Sequence, residues 1–279
     1  MKVMNLIYDD TKNSSDLLYR TRFKAPDPII FFEIRKKKYL VLNDLEIQRG
    51  KKQAMVDEIL SLREISEEIK SNQIVDIIKA LIKKFNVSKV KVPYSFPSYV
   101  FNEIKKFKIK IEVSSSPIFF KSRLIKDSNE INKIKNTMKL TELVLVKIID
   151  KIKYSKVRNN FLYLDNKILT SQILRSFCQK ELASLGLECP DCIISSGKDS
   201  ALPHHEGFGP IKESSPIILD IFPRNIESGY FADITRTVIK GKPSDILKDM
   251  FQVVLQGQKI GVQLVKAGRN SKTIHNSIK

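Results

Sequence analysis

Two aspartates late in the chain carry the strongest chemical signal. Asp220 closes the apolar run Ile217-Ile218-Leu219. Asp233 follows Phe231-Ala232 and precedes Ile234-Thr235-Arg236-Thr237-Val238-Ile239. Pro223, Asn225, Ser228 and Gly229 lie between them and are turn formers. Side chains alternate faces along a strand, so Ile218, Asp220 and Phe222 share one face, and Phe231, Asp233 and Thr235 share one face of the partner. If the two runs pair as a hairpin, Asp220 and Asp233 can stand side by side. Two such carboxylates repel and require a proton, a cation or a metal between them. Oxygen donors on neighbouring strands suit Mn, Co or Zn. The competing reading is a pair of solvated aspartates near strand ends.

The rest of the chain must position that hairpin. Its 279 residues leave room for two domains and a sizeable core. Residues 1–125 read as an α/β domain. Pro28–Ile34 and Tyr39–Leu42 are strand-like runs around the basic turn Arg35-Lys36-Lys37-Lys38. Asn43–Arg49 reads as a loop or short strand. The spacing of Ile69, Ile74, Ile77, Ile78, Leu81 and Ile82 predicts one helix over Ser66–Phe85. Val90–Val92 reads as a short strand, Pro97 opens a helix through Phe107, and Ile109–Val113 alternates like a strand. No phosphate loop, His or Cys occurs in this half, so it carries no evident chemistry of its own.

Residues 126–279 form the second domain in this reading. Asp127 or Ser128 can cap a long helix, with Ile131, Ile134, Met138, Thr141, Leu145, Ile148 and Ile152 repeating at threes and fours. A further helix is expected over about 165–185, ending near Gly186. Ile193-Ile194 then leads into Ser195-Ser196-Gly197-Lys198-Asp199-Ser200-Ala201-Leu202-Pro203-His204-His205. A His-His pair on a loop is ordinarily solvated, and no HExxH helix is present. After Gly241, a helix over about 244–266 carries Ile246, Met250, Phe251, Val254, Leu255, Val262 and Val265 on its apolar side, and a last helix starts near Ser271.

Composition narrows the function classes. Hydrophobic residues make up 42% and charged residues 29%, which fits a folded globular chain. No apolar run is long enough to span a bilayer, and the N-terminus lacks a signal-peptide core, so a cytoplasmic protein without membrane attachment is expected. Three cysteines give no disulfide framework. Cys189-Pro190-Asp191-Cys192 has no second pair beside it and reads as ordinary reduced thiols. The net charge of +18 admits nucleic acid as a partner. The lysines are spread along the chain, however, and no specific nucleic-acid partner is expected.

The hairpin resembles the metal-binding hairpin of the pita-bread metallopeptidases, the family of Xaa-Pro aminopeptidase, prolidase and methionine aminopeptidase. The resemblance rests on Asp220 in Ile-Leu-Asp-Ile-Phe, Gly229-Tyr230, Asp233-Ile234-Thr235-Arg236-Thr237 and Gly241. Arg123, Lys126, Asp127, Glu130 and Ile131 resemble the entry to the catalytic domain in the aminopeptidase P and prolidase branch. The separation of the two aspartates is two residues longer than the common pattern, and an even insertion leaves the facing of both strands unchanged. The resemblance implies an α/β fold, with an N-terminal creatinase-like α/β domain followed by an α+β pita-bread domain that is incomplete here. It implies two divalent metal ions, Mn first, with Co or Zn as alternatives. Asp220 and Asp233 would be metal ligands, His204 would contact the substrate, and Thr235 would orient Asp233. The implied activity is hydrolysis of the N-terminal residue before proline, by a homo-oligomer acting on peptides with proline in second position. The segments that carry the family's later His and two Glu ligands have no counterpart in the 279 residues, and His275 does not match the ligand His. Impaired activity is therefore expected, with a catalytically inactive peptide- or protein-binding chain as the alternative.

Overall fold

The computed structural model describes residues 2–107 and 109–279. The chain divides into two compact units, Met1–Ile125 and Lys126–Lys279.

The first unit is built on a six-stranded mixed sheet. Its elements are β1 (Val3–Asp9), α1 (Ser15–Thr21), β2 (Ile29–Ile34), β3 (Lys37–Leu42), α2 (Asp44–Gln53), β4 (Glu58–Ser61), α3 (Leu62–Ile69), α4 (Ile74–Lys84), β5 (Lys89–Val92), α5 (Ser98–Lys105) and β6 (Lys110–Val113). The strand order is β4-β3-β2-β1-β5-β6. β1 pairs antiparallel with β2 and parallel with β5. Both faces are covered, which explains the nearly unbroken apolar run of β2. Met4, Leu6, Ile30 and Phe32 bury against Ile77 and Ile78 of α4 on one side. Ile7, Phe31, Leu40 and Leu42 bury with Leu17 and Phe23 on the other. Each fully buried Phe of this set contributes on the order of 2–3 kcal/mol. Arg35 and Lys36 both adopt left-handed backbone (φ 50° and 69°), as a two-residue hairpin turn requires.

Two local expectations differ from the structure. Residues 66–85 form two helices, not one. Lys70 ends α3 in a left-handed cap, and the Ser71 hydroxyl donates to Asp76 Oδ2 at 2.8 Å, favouring a fresh start over continuation. Asn43 begins helix α2 because its side chain accepts from the Glu46 N–H at 3.1 Å. β1, which the sequence reading did not single out, lies at the sheet centre with Met4, Leu6 and Ile7 buried.

The second unit comprises α6 (Ser128–Tyr154), β7 (Lys156–Arg158), β8 (Phe161–Leu164), β9 (Lys167–Ile168), α7 (Ser171–Ser184), β10 (Leu187–Glu188), β11 (Ile193–Ser196), β12 (Ile217–Ile221), β13 (Arg224–Asn225), β14 (Ile234–Val238), α8 (Asp245–Leu264) and α9 (Ser271–Ile278). Asp127 caps α6 through a reciprocal capping box with Glu130. The helix expected from about residue 165 starts at Ser171 instead. Asp165 and Asn166 take left-handed backbone (φ 50° and 59°) and turn β8 into β9, and Thr170 then caps α7. Val144, Leu145, Ile148 and Ile152 of α6, Leu174, Cys178 and Leu182 of α7, and Ile194, Ile217, Leu219 and Ile221 of the sheet form one core. The early part of the α6 stripe leaves that core, since Ile131 is exposed. On α8 only Gly261 is buried, and Ile246, Met250, Phe251, Val254 and Val262 are exposed. Gly257 and Gly261 lie against Ile278 of α9. No helix among the described residues is long and apolar enough to cross a membrane.

All three cysteines are free and buried. Hydrogen bonding with Cys178, then burial, pushes the Cys192 thiol up to about 12, and the Cys192 contact followed by burial pushes the Cys189 thiol up as well. Both shifts oppose thiolate formation, and with it nucleophilic or metal-binding roles.

Candidate metal centre

Asp220 lies in β12 of the sheet β11-β12-β14, and Asp233 immediately precedes β14. Ile217, Leu219 and Ile221 of β12 point into the core, so Ile218 and Asp220 occupy the opposite face. β12 and β14 are antiparallel, with Asp220 opposite Thr235 and Ile221 opposite Ile234. The ladder continues without a bulge. The Ala232 N–H donates to Pro223 O at 3.0 Å, Arg224 faces Phe231, and the Asn225 N–H donates to Tyr230 O at 2.9 Å. Phe222 therefore faces Asp233, and Asp233 is the diagonal neighbour of Asp220 on one face. Such diagonals bring Cβ atoms within about 7 Å, a span one cation can bridge.

The tip of this hairpin is fixed by its own sequence. The Asn225 side chain accepts from the Ser228 N–H at 2.7 Å, and Gly229 takes φ +75° as the turn requires. The Tyr230 hydroxyl donates to Glu130 Oε1 at 2.6 Å. Glu130 Oε2 accepts from the Asp127 N–H at 3.0 Å, so the capping box of α6 also anchors the hairpin.

Electrostatics favour a cation between the carboxylates. Partial burial, then the charge of Asp220, push the Asp233 carboxyl above its ordinary value. Asp233 remains open to solvent and Asp220 is half-buried. The Thr235 hydroxyl donates to Asp220 Oδ1 at 2.6 Å. Thr235 thus orients the first carboxylate, where the sequence reading gave it the second. As hard oxygen donors on one face, the pair fits a divalent ion. Among the described residues, no group of three or more His, Cys, Asp or Glu is placed to hold a metal.

His204 does not join the pair. It stands on the loop after β11, exposed, with left-handed backbone (φ 65°). The adjacent His205 accepts from the Gly207 N–H at Nδ1 (3.1 Å) and lies 4.0 Å from Asp199. The loop then returns along β11, where the Ile194 N–H donates to Glu206 O at 3.2 Å. β11 is the strand whose Ile193 faces Asp220. Two residues not singled out in the sequence hold this loop. Arg175 of α7 donates to the carbonyls of Glu206 and Gly207 at 2.6 and 2.9 Å. Gly207, at φ +83°, sits so close to β11 that a Cβ would lie 2.1 Å from Ile194 O. The Gly-Phe-Gly spacing at residues 207–209 is the one sequence signal for the tight return, and nothing local marks Arg175.

The fold and the hairpin define an α/β protein of the pita-bread class with a carboxylate pair on the β12-β14 hairpin. The model of metallopeptidase family M24 matches residues 132–279, and the chain belongs to that family. It is 42% identical over 82 residues to the uncharacterized peptidase YqhT of Bacillus subtilis, covering 29% of this chain and 23% of that protein. It is 26% identical over 187 residues to an Xaa-Pro dipeptidase of Pyrococcus horikoshii, covering 66% of this chain and 48% of that one. The chain thus spans from about a quarter to about half of these curated relatives. The X-Pro aminopeptidase structure from Thermotoga maritima superposes with a TM-score of 0.80 at 20% identity, over 99% of this chain and 73% of that one, which shows the shared fold.

Proposed function

We propose that this chain binds divalent metal through Asp220 and Asp233 and belongs to a peptidase that removes the residue preceding a proline. The observation that carries the reading is the carboxylate pair on one face of an unbroken hairpin, with Asp220 oriented by Thr235. The Xaa-Pro dipeptidase relative supports the substrate class. When bound, such ions supply Lewis acidity and a water acidic enough to act as nucleophile near neutral pH. Asp220 and Asp233 would hold the divalent ions, manganese being the first metal to test and cobalt or zinc next. Thr235 fixes the rotamer of Asp220 and leaves its other oxygen free for coordination. By the family resemblance His204, exposed on its loop, would contact the substrate and assist proton transfer to the leaving amine.

Two carboxylates without a third ligand hold metal weakly. The 279 residues alone are therefore expected to bind Mn weakly and to turn over Xaa-Pro peptides slowly or not at all. The absence of a placed third ligand among the described residues favours a second reading, a peptide-binding chain without turnover. Assaying Xaa-Pro peptides with and without Mn separates the two. Mn-dependent cleavage abolished by Asp233→Ala supports the enzyme and contradicts the expected impairment. Peptide binding without cleavage supports the second reading.

A further inference from the structure

The three-stranded sheet β7-β8-β9 presents a face that the peptidase reading does not use. Leu162 and Leu164 of β8 pack toward the core, so Phe161 and Tyr163 project from the other side. The register sets what stands beside them. Lys156 faces Tyr163, which faces Ile168. Arg158 faces Phe161, which is bridged to Lys212. Two rows of three thus share one face, with two rings and three cations and no carboxylate. The rows lie about 7 Å apart, two residues along a strand.

The side chains keep this arrangement open. Lys156, Arg158 and Lys212 are exposed, and both rings are half-exposed. Arg158 stands 5.7 Å from the Tyr163 ring and Lys212 stands 5.8 Å from the Phe161 ring, near the outer limit of a cation–π contact, so the rings are flanked rather than capped. Arg158 also donates to Asn166 Oδ1 at 3.1 Å, which fixes its direction without neutralising it. Among the described residues none of the three cations forms an ion pair with a carboxylate. The Lys240 ammonium, which donates to Lys153 O, adds a further positive charge to this unit.

From this face we propose a binding site for single-stranded nucleic acid, read without sequence preference. Cations that alternate with half-exposed rings on a sheet match a chain of phosphates carrying splayed bases, with the phosphates on the lysines and arginine and the bases stacked on the rings. An anionic membrane surface could also take up the rings, so phosphatidylserine vesicles enter the test as the competing ligand.

The test is fluorescence anisotropy of the full 279-residue chain with a labelled oligothymidylate of about 20 nucleotides, from 50 to 200 mM salt. Three phosphate contacts predict a log–log salt slope of about −2 for a single strand. Lys156→Glu with Lys212→Glu should weaken binding about tenfold or more and flatten the slope by at least 1. Tyr163→Leu should weaken binding about fivefold or more with the slope kept, as lost stacking requires. Lys51→Glu with Lys52→Glu, the same charge change on exposed α2 positions, should alter affinity less than threefold. Circular dichroism confirms that each variant folds. No binding at 50 mM salt, equal losses in the two double variants, no effect of Tyr163→Leu, or stronger binding to phosphatidylserine vesicles than to the oligonucleotide would each overturn the proposal.

Discussion

Asp220 and Thr235 share one rung of the hairpin, and the hydroxyl of one holds the carboxylate of the other at 2.6 Å. Thr235→Val keeps the shape and removes the donor. It is expected to weaken Mn binding several-fold without unfolding the chain, as measured by calorimetric titration and thermal melting. Gly207 makes the opposite kind of demand. A methyl there would meet β11 backbone, and the residue needs left-handed geometry. Gly207→Ala should cost about 3 kcal/mol in urea unfolding. The carboxylate pair was legible in the sequence because period-two alternation and turn formers act over a few residues. Arg175 and Gly207 were not, because their roles arise where α7 and a returning loop meet β11, contacts that no local pattern encodes.

Among the elements, α6 shows how a cap can serve two ends at once. Glu130 closes the capping box and accepts from Tyr230, a hundred residues away. Asp127→Ala removes the cap and should cost about 1–2 kcal/mol, read from chemical denaturation. The link from α6 to α7 is pH-dependent. The Lys147 ammonium, hydrogen-bonded to Glu181 at 2.6 Å, holds the Glu181 carboxyl below its ordinary value. A carboxyl depressed in the folded state stabilises above its unfolded value, about 4.3. That contribution disappears as pH falls through the lower folded value. The melting temperature of Glu181→Gln should therefore sit slightly below wild type at pH 7, and the gap should close as pH falls below the ordinary glutamate range. Helices with strong caps and stripes, such as α6 and α8, were readable in advance. The split between α3 and α4 was missed, although the five-residue step from Ile69 to Ile74 across Ser71-Asn72-Gln73 breaks the helical spacing.

At the scale of the whole molecule, the chain forms two compact units with separate cores. Residues 1–125 contain both hydrophobic clusters of the first sheet, so expressed alone they should melt cooperatively by circular dichroism. The +18 charge was visible in the sequence, yet it did not reveal that three cations and two rings share the β7-β8-β9 face. That grouping depends on the register of three strands and on a bridge to Lys212. The exposed apolar side of α8 was likewise unreadable, since an amphipathic stripe indicates which face is apolar and not what covers it. Whether Asp220 and Asp233 together bind a divalent metal ion is tested most directly by calorimetric titration of Mn into wild type, Asp220→Asn and Asp233→Asn. Weak binding by wild type that falls at least tenfold in each variant is the predicted result. Binding that persists unchanged in both variants, or no binding by wild type, would contradict it.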